Sequence, residues 1–283
     1  MARGRPEAEN GPFLKWAGGK GALLPAYEAL YPRRFGVYHE PFLGAGAVFF
    51  RLAESGRIER AELSDVNADL ILAFAVVKTR TAELIAELTR LRARHDEAAY
   101  YAERERFNST RLGDVARAAR VIYLNKTGYN GLYRVNSRGE YNVPCGRYSN
   151  PRIFSEQGLW AASERLKKAT IEARDFTTVE RRAKAGDFVY FDPPYDPLNR
   201  TAYFTSYARG GFGRDAQEQL ASTFRTLDRA GVQVMLSNHD TPLVRELYQD
   251  YDRRRLEVTR AINSKAEGRR TLVGEVVVRN YPS

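Results

Sequence analysis

A carboxylate, two prolines and a tyrosine follow an apolar run near residue 190. The run Phe188–Phe191 is typical of a buried strand, and Asp192, Pro193, Pro194 and Tyr195 come directly after it. Because two prolines cannot continue a central strand, we expect the chain to turn out at the carboxyl end of a sheet, where open α/β sheets bind ligands. The turn offers a carboxylate and a carbonyl as acceptors beside an aromatic ring. This set suits an exocyclic amino group on a flat heterocycle.

A second candidate site is the glycine-containing loop Glu40–Gly46, with Asp65 at the end of the next predicted strand. Closely spaced glycines let a backbone approach a cofactor, and an acid about 20 residues further on accepts ribose hydroxyls. Phe49 occupies the position of the third glycine of a dinucleotide fingerprint, which disfavours a helix packed tightly over a pyrophosphate. A cofactor without a diphosphate has no such need. The loop therefore points to S-adenosylmethionine (SAM), with a nicotinamide cofactor as the disfavoured alternative.

The third candidate is the box Phe13–Lys20, in which Trp16 is followed closely by two glycines and a lysine. An indole beside glycines can cradle a thioether-bearing amino acid, with Lys20 near its carboxylate. The same segment is also compatible with a loop that precedes a helix and places Trp16 in the core.

These motifs lie at the ends of predicted strands. Val37–Phe42 predicts a strand that enters the glycine loop, Ala47–Leu52 starts a helix, and Ala61–Asp65 predicts a second strand. This order is typical of a doubly wound α/β sheet. Residues 70–94 repeat apolar side chains with a helical period. Further strands are predicted at 170–173, 187–192, 232–237 and 272–278, the last at an antiparallel end of the sheet.

The α/β pattern is interrupted in the middle of the chain. Between about residues 96 and 150, tyrosine, asparagine, arginine and glycine dominate, and no pattern of parallel strands is present. We predict a loose leader at 1–10, an inserted domain at 76–155, and a catalytic domain formed by 11–75 and 156–283.

The composition and charge of the chain indicate which partner it binds and exclude some classes of protein. Among 283 residues, 45 Lys and Arg face 35 Asp and Glu, and the net charge of +10 favours a polyanionic partner such as nucleic acid. A single cysteine excludes an internal disulfide framework, and three histidines without helical ligand spacing favour no metal. With no apolar run typical of a membrane span or secretory signal, we expect a cytoplasmic protein without a membrane partner.

The FLKWAGGK box, the EPFLGAG loop, Asp65 and DPPY, in this order, resemble the Dam family of DNA adenine-N6 methyltransferases. In the α-group arrangement of that family, a target-recognition insertion lies between the cofactor loop and DPPY. The segments Asn125–Arg134 and Gly139–Tyr148 resemble the part with which Dam-like enzymes read GATC. The resemblance covers nearly the whole chain beyond the leader. It implies a Rossmann-like, SAM-dependent methyltransferase fold with a mainly helical recognition insertion.

The same resemblance implies double-stranded DNA as the partner. We expect a monomer, and a cognate restriction endonuclease acting on the same site is a partner that the family allows.

Carried over position by position, the resemblance implies three sets of site residues. The catalytic set is Asp192, Pro193 and Tyr195. The implied SAM site comprises Trp16, Lys20, Glu40, Pro41, Phe42, Gly44, Gly46, Asp65, Asp175, Phe176 and Asp192. The implied DNA contacts are Lys15, Asn130, Leu132, Arg134, Pro144, Arg147 and Tyr148, with Arg134 reading the guanine of GATC.

We call residues 125–148, which contain both of the stretches that resemble the GATC-reading part, the recognition segment. Two departures from the family pattern lie in it. Tyr133 precedes Arg134, and Cys145 lies within the VPxGRY run, so both are expected to change the packing of this segment. From residue 120 to 152, six basic residues stand against the single acid Glu140, and five tyrosines are interspersed among them. Arginine pairs bidentately with guanine, while basic and aromatic side chains hold phosphates and stack bases.

The expected chemistry is methyl transfer to adenine N6 after the base leaves the duplex, which costs a few kcal/mol. Tyr195 is expected to stack the extruded adenine while Asp192 and the Pro193 carbonyl accept its N6 hydrogens. The segment 197–213 is expected to order over the flipped base.

Two alternatives stay open from the residues. One is a methyltransferase acting on RNA or on glutamine side chains, although glutamine enzymes carry Asn where Asp192 stands. The other is a DNA-binding module without activity, which the intact acids Asp65 and Asp192 disfavour.

Overall fold

The computed structural model describes residues 11–16, 20, 21, 23–196, 212–260 and 271–282. The predicted leader at 1–10, part of the tryptophan box and nearly all of the predicted closing segment 197–213 lie outside the described residues. In the part that is described, no helix combines the length and the apolar composition that a membrane crossing requires.

The described residues form strands and helices, with five α-helices in a row between the second and third strands. Strands β1 to β7 are Tyr38–Glu40, Ala61–Asp65, Ala169–Ala173, Phe188–Phe191, Gln233–His239, Asp252–Arg260 and Thr271–Arg279. Helices α1 to α9 are Leu24–Tyr27, Ala47–Glu54, Ala68–Thr79, Thr81–Ala93, Glu97–Ser109, Asp114–Thr127, Glu156–Leu166, Arg214–Arg229 and Pro242–Leu247. Short 3-10 helices occupy Tyr129–Gly131 and Phe176–Arg181.

The described strands form a seven-stranded sheet in the order β3-β2-β1-β4-β5-β7-β6. β1 pairs in parallel with β2 and β4, β4 pairs in parallel with β5, and β7 is antiparallel to both β5 and β6. The predicted α/β fold with an antiparallel end is confirmed. Because the chain leaves β1 toward β2 but later adds β4 on the other side of β1, the strand order reverses between β1 and β4. Ligands of open α/β sheets bind at such a reversal.

By its internal contacts the chain divides into two compact units. The first unit is Met1–Gly21, Leu43–Glu59 and Ser64–Ala173, and the second is Ala22–Phe42, Arg60–Leu63 and Arg174–Ser283. The division into a catalytic domain and an insertion at 76–155 stays a prediction.

In the first unit, the helical pattern of residues 70–94 forms two helices rather than one. Arg80 has a φ of −135°, outside the helical range, and α4 begins at the next residue. The Thr81 hydroxyl donates a 2.7 Å hydrogen bond back to the Val77 carbonyl, which satisfies an acceptor at the end of α3. The break therefore redirects the chain without leaving this carbonyl unpaired.

In the second unit, every residue of β4 is buried, as expected for a strand covered on both faces. Strand β6 was not predicted from the sequence. Its first residues, Asp252 to Arg255, are exposed and charged, and the strand pairs with β7 at the edge of the sheet. Charged side chains are a common means of protecting an edge strand from pairing with other chains, and they hide the apolar alternation that predicts strands.

A buried histidine lies on β1 within the second unit. His39 is 2% exposed, and its Nε2 lies 3.2 Å from Asp187 Oδ2 while its Nδ1 lies 3.9 Å from Glu62 Oε2. Asp187 also accepts a 2.8 Å hydrogen bond from the Val37 amide. Burial lowers the pKa of His39, although the hydrogen bond that His39 donates to Asp187 and the charges of both acids oppose that shift.

This pKa shift predicts a loss of stability in acid. Because the folded-state pKa of His39 lies below the ordinary value of 6.5, the unfolded chain takes up a proton first as the pH falls. The stability that is present above this value is therefore lost below it, by at most about 1.4 kcal/mol per pH unit for one group. His39→Gln keeps a donor for Asp187 but does not titrate. Urea unfolding at about pH 7 and about pH 5.5 should show a smaller acid loss for the variant, and equal losses would contradict the assignment.

Candidate active site

The Asp192–Asp196 turn leaves the sheet at the carboxyl end of β4. Asp192 is half-buried, and its Oδ1 accepts a 3.0 Å hydrogen bond from the Ser237 hydroxyl on β5. The Tyr190 hydroxyl lies 2.9 Å from the Ser237 Oγ. Because Ser237 has a single proton and gives it to Asp192, Tyr190 donates to Ser237. This chain of hydroxyls fixes the rotation of the Asp192 carboxylate, and Ser237 was absent from the predicted catalytic set.

Tyr195 follows the two prolines and is half-buried. Its ring meets the ring of His239 nearly edge-on, with centroids 4.8 Å apart and planes at 77°. Burial raises the pKa of the Tyr195 hydroxyl well above its ordinary value, and the charge of Asp192 raises it further. Tyr195 therefore stays a neutral phenol, which suits a ring that stacks on an uncharged base.

Several residues of the predicted cofactor set lie at the end of β1 and around the 3-10 helix at Phe176. Glu40 is buried and accepts a 2.9 Å hydrogen bond from the Tyr38 hydroxyl. Phe42 stacks on Phe176, with centroids 5.2 Å apart and planes at 24°. Asp175 is exposed and caps the 3-10 helix that starts at Phe176, accepting the backbone N–H two residues further on at 2.9 Å. The second unit thus brings Phe42, Asp175 and Phe176 together.

In the first unit, the predicted cofactor residues Gly44 and Asp65 are in direct contact. Asp65 Oδ2 accepts a 3.1 Å hydrogen bond from the Gly44 amide, and Oδ1 accepts one of 3.0 Å from the Asn67 amide. Burial raises the pKa of Asp65, although backbone donors that include both amides act in the opposite direction. Gly46, with a φ of 70°, precedes α2, and Lys20 is buried. The glycine loop is therefore joined to Asp65, the acid at the end of β2, by a hydrogen bond.

Trp16 is half-buried and packs between a glycine and a tyrosine of the first unit. A Cβ on Gly44 would lie 2.9 Å from Trp16 Cδ1. On the Tyr133 side the rings stack with centroids 5.7 Å apart and planes at 28°. The Tyr133 hydroxyl donates a 2.9 Å hydrogen bond to Asp69, which is also paired with Arg117. Tyr133, a departure from the family pattern, therefore ties the tryptophan box to the recognition segment.

The recognition segment folds back on itself, with an antiparallel bridge between Gly128 and Cys145. Arg134 donates from Nε to Asn142 Oδ1 at 2.7 Å and from Nη2 to the Asn142 carbonyl at 3.1 Å. Within the predicted DNA set, the exposed residues are Asn130, Arg134, Pro144, Arg147 and Tyr148, while Lys15 and Leu132 are half-buried.

Two of the six basic residues between 120 and 152 do not contribute to the surface. Arg120 is 3% exposed and pairs with Glu87 at 3.1 Å and Glu103 at 2.6 Å, and Lys126 is also 3% exposed. The surface charge of this stretch therefore comes from Arg134, Arg138, Arg147 and Arg152, all of which are exposed.

The buried side chain of Asn125, near the end of α6, organises this segment. Its Oδ1 accepts a 2.8 Å hydrogen bond from the Lys15 amide, and its Nδ2 donates to the carbonyls of Lys15 at 2.7 Å and Gly131 at 2.8 Å. Lys15 in turn places its Nζ 4.7 Å from the centroid of the Tyr148 ring. Asn125 was not predicted as a site residue, and the signal that marks it is an amide side chain directly after the buried run Val121–Leu124 of α6.

A groove of about 1030 Å³ adjoins the recognition segment. Its lining combines residues 95–97 and Tyr101 with Tyr129 and residues 144–149. Because Pro144, Arg147 and Tyr148 belong to the predicted DNA set, the groove is part of the same exposed surface.

The packing of Trp16 on Gly44 is testable with two glycine substitutions. Gly44→Ala and Gly56→Ala both place a Cβ at positive φ, which costs roughly 1–2 kcal/mol. Among the described residues other than its chain neighbours, none has an atom within 4 Å of the added Cβ at Gly56, whereas Trp16 blocks it at Gly44. We expect both variants to lose stability in urea unfolding, and only Gly44→Ala to change tryptophan fluorescence and weaken SAM binding in calorimetry. Matching behaviour of the two variants would contradict this packing.

Several known proteins are similar to this chain over nearly its whole length. A family model for the D12 class N6 adenine-specific DNA methyltransferases matches residues 16–262. The type II methyltransferase M.MjaIII of Methanocaldococcus jannaschii is 43% identical, over 95% of this chain and 99% of its own. The type II methyltransferase M1.LlaDCHI of Lactococcus lactis subsp. cremoris is 40% identical, over 95% of each chain.

A third relative connects the chain to the family that the motifs resemble. The DNA adenine methylase of Escherichia coli strain K12 is 39% identical, over 97% of this chain and 96% of its own. The order of boxes, the α/β sheet and these matches agree. The chain belongs to the D12 class of N6 adenine-specific DNA methyltransferases.

Proposed function

We propose that this chain transfers a methyl group from SAM to the N6 atom of adenine in double-stranded DNA at GATC, after extrusion of the adenine from the duplex. The observation that carries the proposal is the turn after β4, where the Asp192 carboxylate is held by Ser237 and followed by two prolines and Tyr195. This turn lies where the strand order reverses, the place at which open α/β sheets bind ligands.

The turn offers two acceptors and an aromatic ring to the extruded adenine. In this proposal Tyr195 stacks the base, and the Asp192 carboxylate and the Pro193 carbonyl accept the two N6 hydrogens. The amino nitrogen is a poor nucleophile because its lone pair is delocalised into the ring. Two acceptors polarise the nitrogen and orient its lone pair toward the methyl group. Positioning and preorganised electrostatics then supply most of the acceleration.

SAM supplies an electrophilic methyl group on a sulfonium, and the products are N6-methyladenine, S-adenosylhomocysteine and a proton. The residues of the first unit suit such a group. Gly44 lacks a Cβ where Trp16 packs, and Asp65 is a carboxylate held in place by two backbone amides. We assign to Trp16, Gly44 and Asp65 the binding of SAM.

The exposed residues of the recognition segment support DNA as the substrate. Arg134 is exposed, and its guanidinium is oriented by Asn142, as a side chain that pairs bidentately with guanine requires. Tyr148 is 39% exposed and Arg147 is exposed beside it, so stacking and phosphate contacts are both within reach of this surface.

The cellular context is part of the proposal. We propose a monomer that acts in the cytoplasm, in line with its DNA substrate. Two of the relatives named above are type II methyltransferases, which supports a restriction endonuclease that acts on the same site as a partner. The Escherichia coli relative is named only as a DNA adenine methylase.

The sequence specificity is tested by transfer of labelled methyl groups to a GATC duplex and to duplexes with one base changed. We expect label in GATC alone, recovered as N6-methyladenine. Arg134→Ala should weaken discrimination at the guanine by about 1–3 kcal/mol. Arg138→Ala is the matched control, since Arg138 lies on the same segment, with a side chain 78% exposed and paired with Glu140. Equal discrimination by the Arg134 variant and the wild type would remove Arg134 from recognition.

The role of Asp192 is tested separately. Asp192→Ala removes one of the two proposed acceptors and should abolish turnover while the protein keeps its fold, as read by circular dichroism and thermal unfolding. SAM binding by calorimetry shows whether the cofactor site survives. Turnover near the wild-type rate would refute the mechanism.

A further inference from the structure

Two buried amide side chains hold the turn that carries Tyr195. Gln217 on α8 and Asn238 on β5 are both 0% exposed. Gln217 donates from Nε2 to the Pro194 carbonyl at 3.1 Å, and its Oε1 accepts a 3.1 Å hydrogen bond from Asn238 Nδ2. Asn238 Oδ1 accepts a 2.9 Å hydrogen bond from the Asp196 amide. The peptide groups on both sides of Tyr195 are therefore fixed.

The same network reaches the ring of Tyr195. The His239 amide donates to Asn238 Oδ1 at 2.8 Å, and His239 Nδ1 lies 2.8 Å from the Asp196 carbonyl. Since a carbonyl only accepts, Nδ1 carries a proton and donates it. The imidazole is thereby oriented with its ring against Tyr195. Backbone and ring of Tyr195 are thus held through one pair of amides.

The order of donors and acceptors in this network permits one arrangement. An amide side chain has one donor group and one acceptor, and Asn238 Oδ1 already faces two backbone N–H groups. Asn238 must therefore present Nδ2 to Gln217, and Gln217 must present Nε2 to the Pro194 carbonyl. Because these amides are excluded from solvent, water cannot take the place of either side chain without a change in the turn.

We propose that Gln217 and Asn238 are positioning residues for methyl transfer, which set the place of Tyr195 and hence of the extruded adenine. The inference rests on the proposed function. It assigns these residues to the chemical step rather than to binding of DNA or SAM, because both act on the turn and neither belongs to the recognition segment. Misplacement of a reacting group by about 1 Å can cost about 100-fold in rate.

The experiment uses Gln217→Met, which keeps the length of the side chain and removes its donor and its acceptor. Single-turnover methylation of a GATC duplex should slow by about 100-fold, while the dissociation constants for DNA and SAM stay within about twofold of the wild type. In a duplex with 2-aminopurine at the target, the fluorescence of the extruded base should differ from that in the wild-type complex. Gln233→Met is the matched control, since Gln233 also donates to backbone carbonyls, those of Arg34 and Gly186, but at the start of β5.

A second variant separates positioning from a general loss of stability. In Gln217→Glu, the protonated carboxyl has the donor and acceptor pattern of the amide, whereas the ionised form faces the Pro194 carbonyl as a second acceptor. Burial raises the pKa of such a carboxyl, so its single-turnover rate relative to wild type should rise as the pH falls. Asp192, Asp196, Tyr195 and His239 are present in both proteins, so the ratio isolates the introduced carboxyl. This variant also decides the question if Gln217→Met does not fold.

The outcomes separate the inference from the proposed function. A wild-type protein that methylates no adenine would overturn both. A wild type that methylates GATC, with Gln217→Met at the same rate or Gln217→Glu at a constant ratio across pH, would overturn the inference alone. Equal slowing of the Gln217 and Gln233 variants would overturn it too, since the effect would then be structural.

Discussion

Two prolines at the end of a buried strand end its pairing with neighbouring strands, because they have no backbone N–H. In the second unit, the backbone groups on either side of Tyr195 are bound by side chains instead. Pairing of Phe191 with Leu236 in the register of β4 and β5 brings the next residues, Asp192 and Ser237, together. Beyond that point, hydrogen bonds from the backbone to side chains replace the backbone pairing of the two strands. The proposed catalytic acceptors are therefore fixed first by strand register and then by buried side chains.

The first unit solves a similar problem with other residues. Asn125 binds both peptide groups of Lys15 and the carbonyl of Gly131, so the tryptophan box and the recognition segment share one anchor. The stacking of Trp16 on Tyr133 adds a second link. Tyr133, which departs from the family pattern, also donates a hydrogen bond from its hydroxyl to Asp69 and is therefore held by a partner within this unit. Residues assigned to SAM and to DNA are thus physically coupled within this unit.

Sequence patterns predicted the buried strands and the glycine loop, which depend on local composition. They missed the features that depend on which residues meet in the fold. The apolar strands on either side of DPPY and the glycine loop were found because burial leaves a run of apolar residues. Strand β6 was missed because its exposed arginines hide the alternation. The pairing of Arg120 with two acids was missed because charge alone does not show which way a side chain points. Gln217 lies on a predictable helix face, yet its carbonyl partner lies 23 residues away in the chain.

The missing donors of the two prolines are as informative as the acceptors of the turn. Pro193 and Pro194 have no backbone N–H, so no backbone donor competes at these two positions with the Asp192 carboxylate and the Pro193 carbonyl. In the proposed function, a base with an amino group at the reacting position pairs with these acceptors, whereas a keto oxygen there would face the Asp192 carboxylate and the Pro193 carbonyl without a proton between them. Unpaired buried acceptors are costly, and sites of this kind reject analogues strongly. In the proposed function, the prolines therefore favour a base with an exocyclic amine, and the recognition segment chooses which such base is presented.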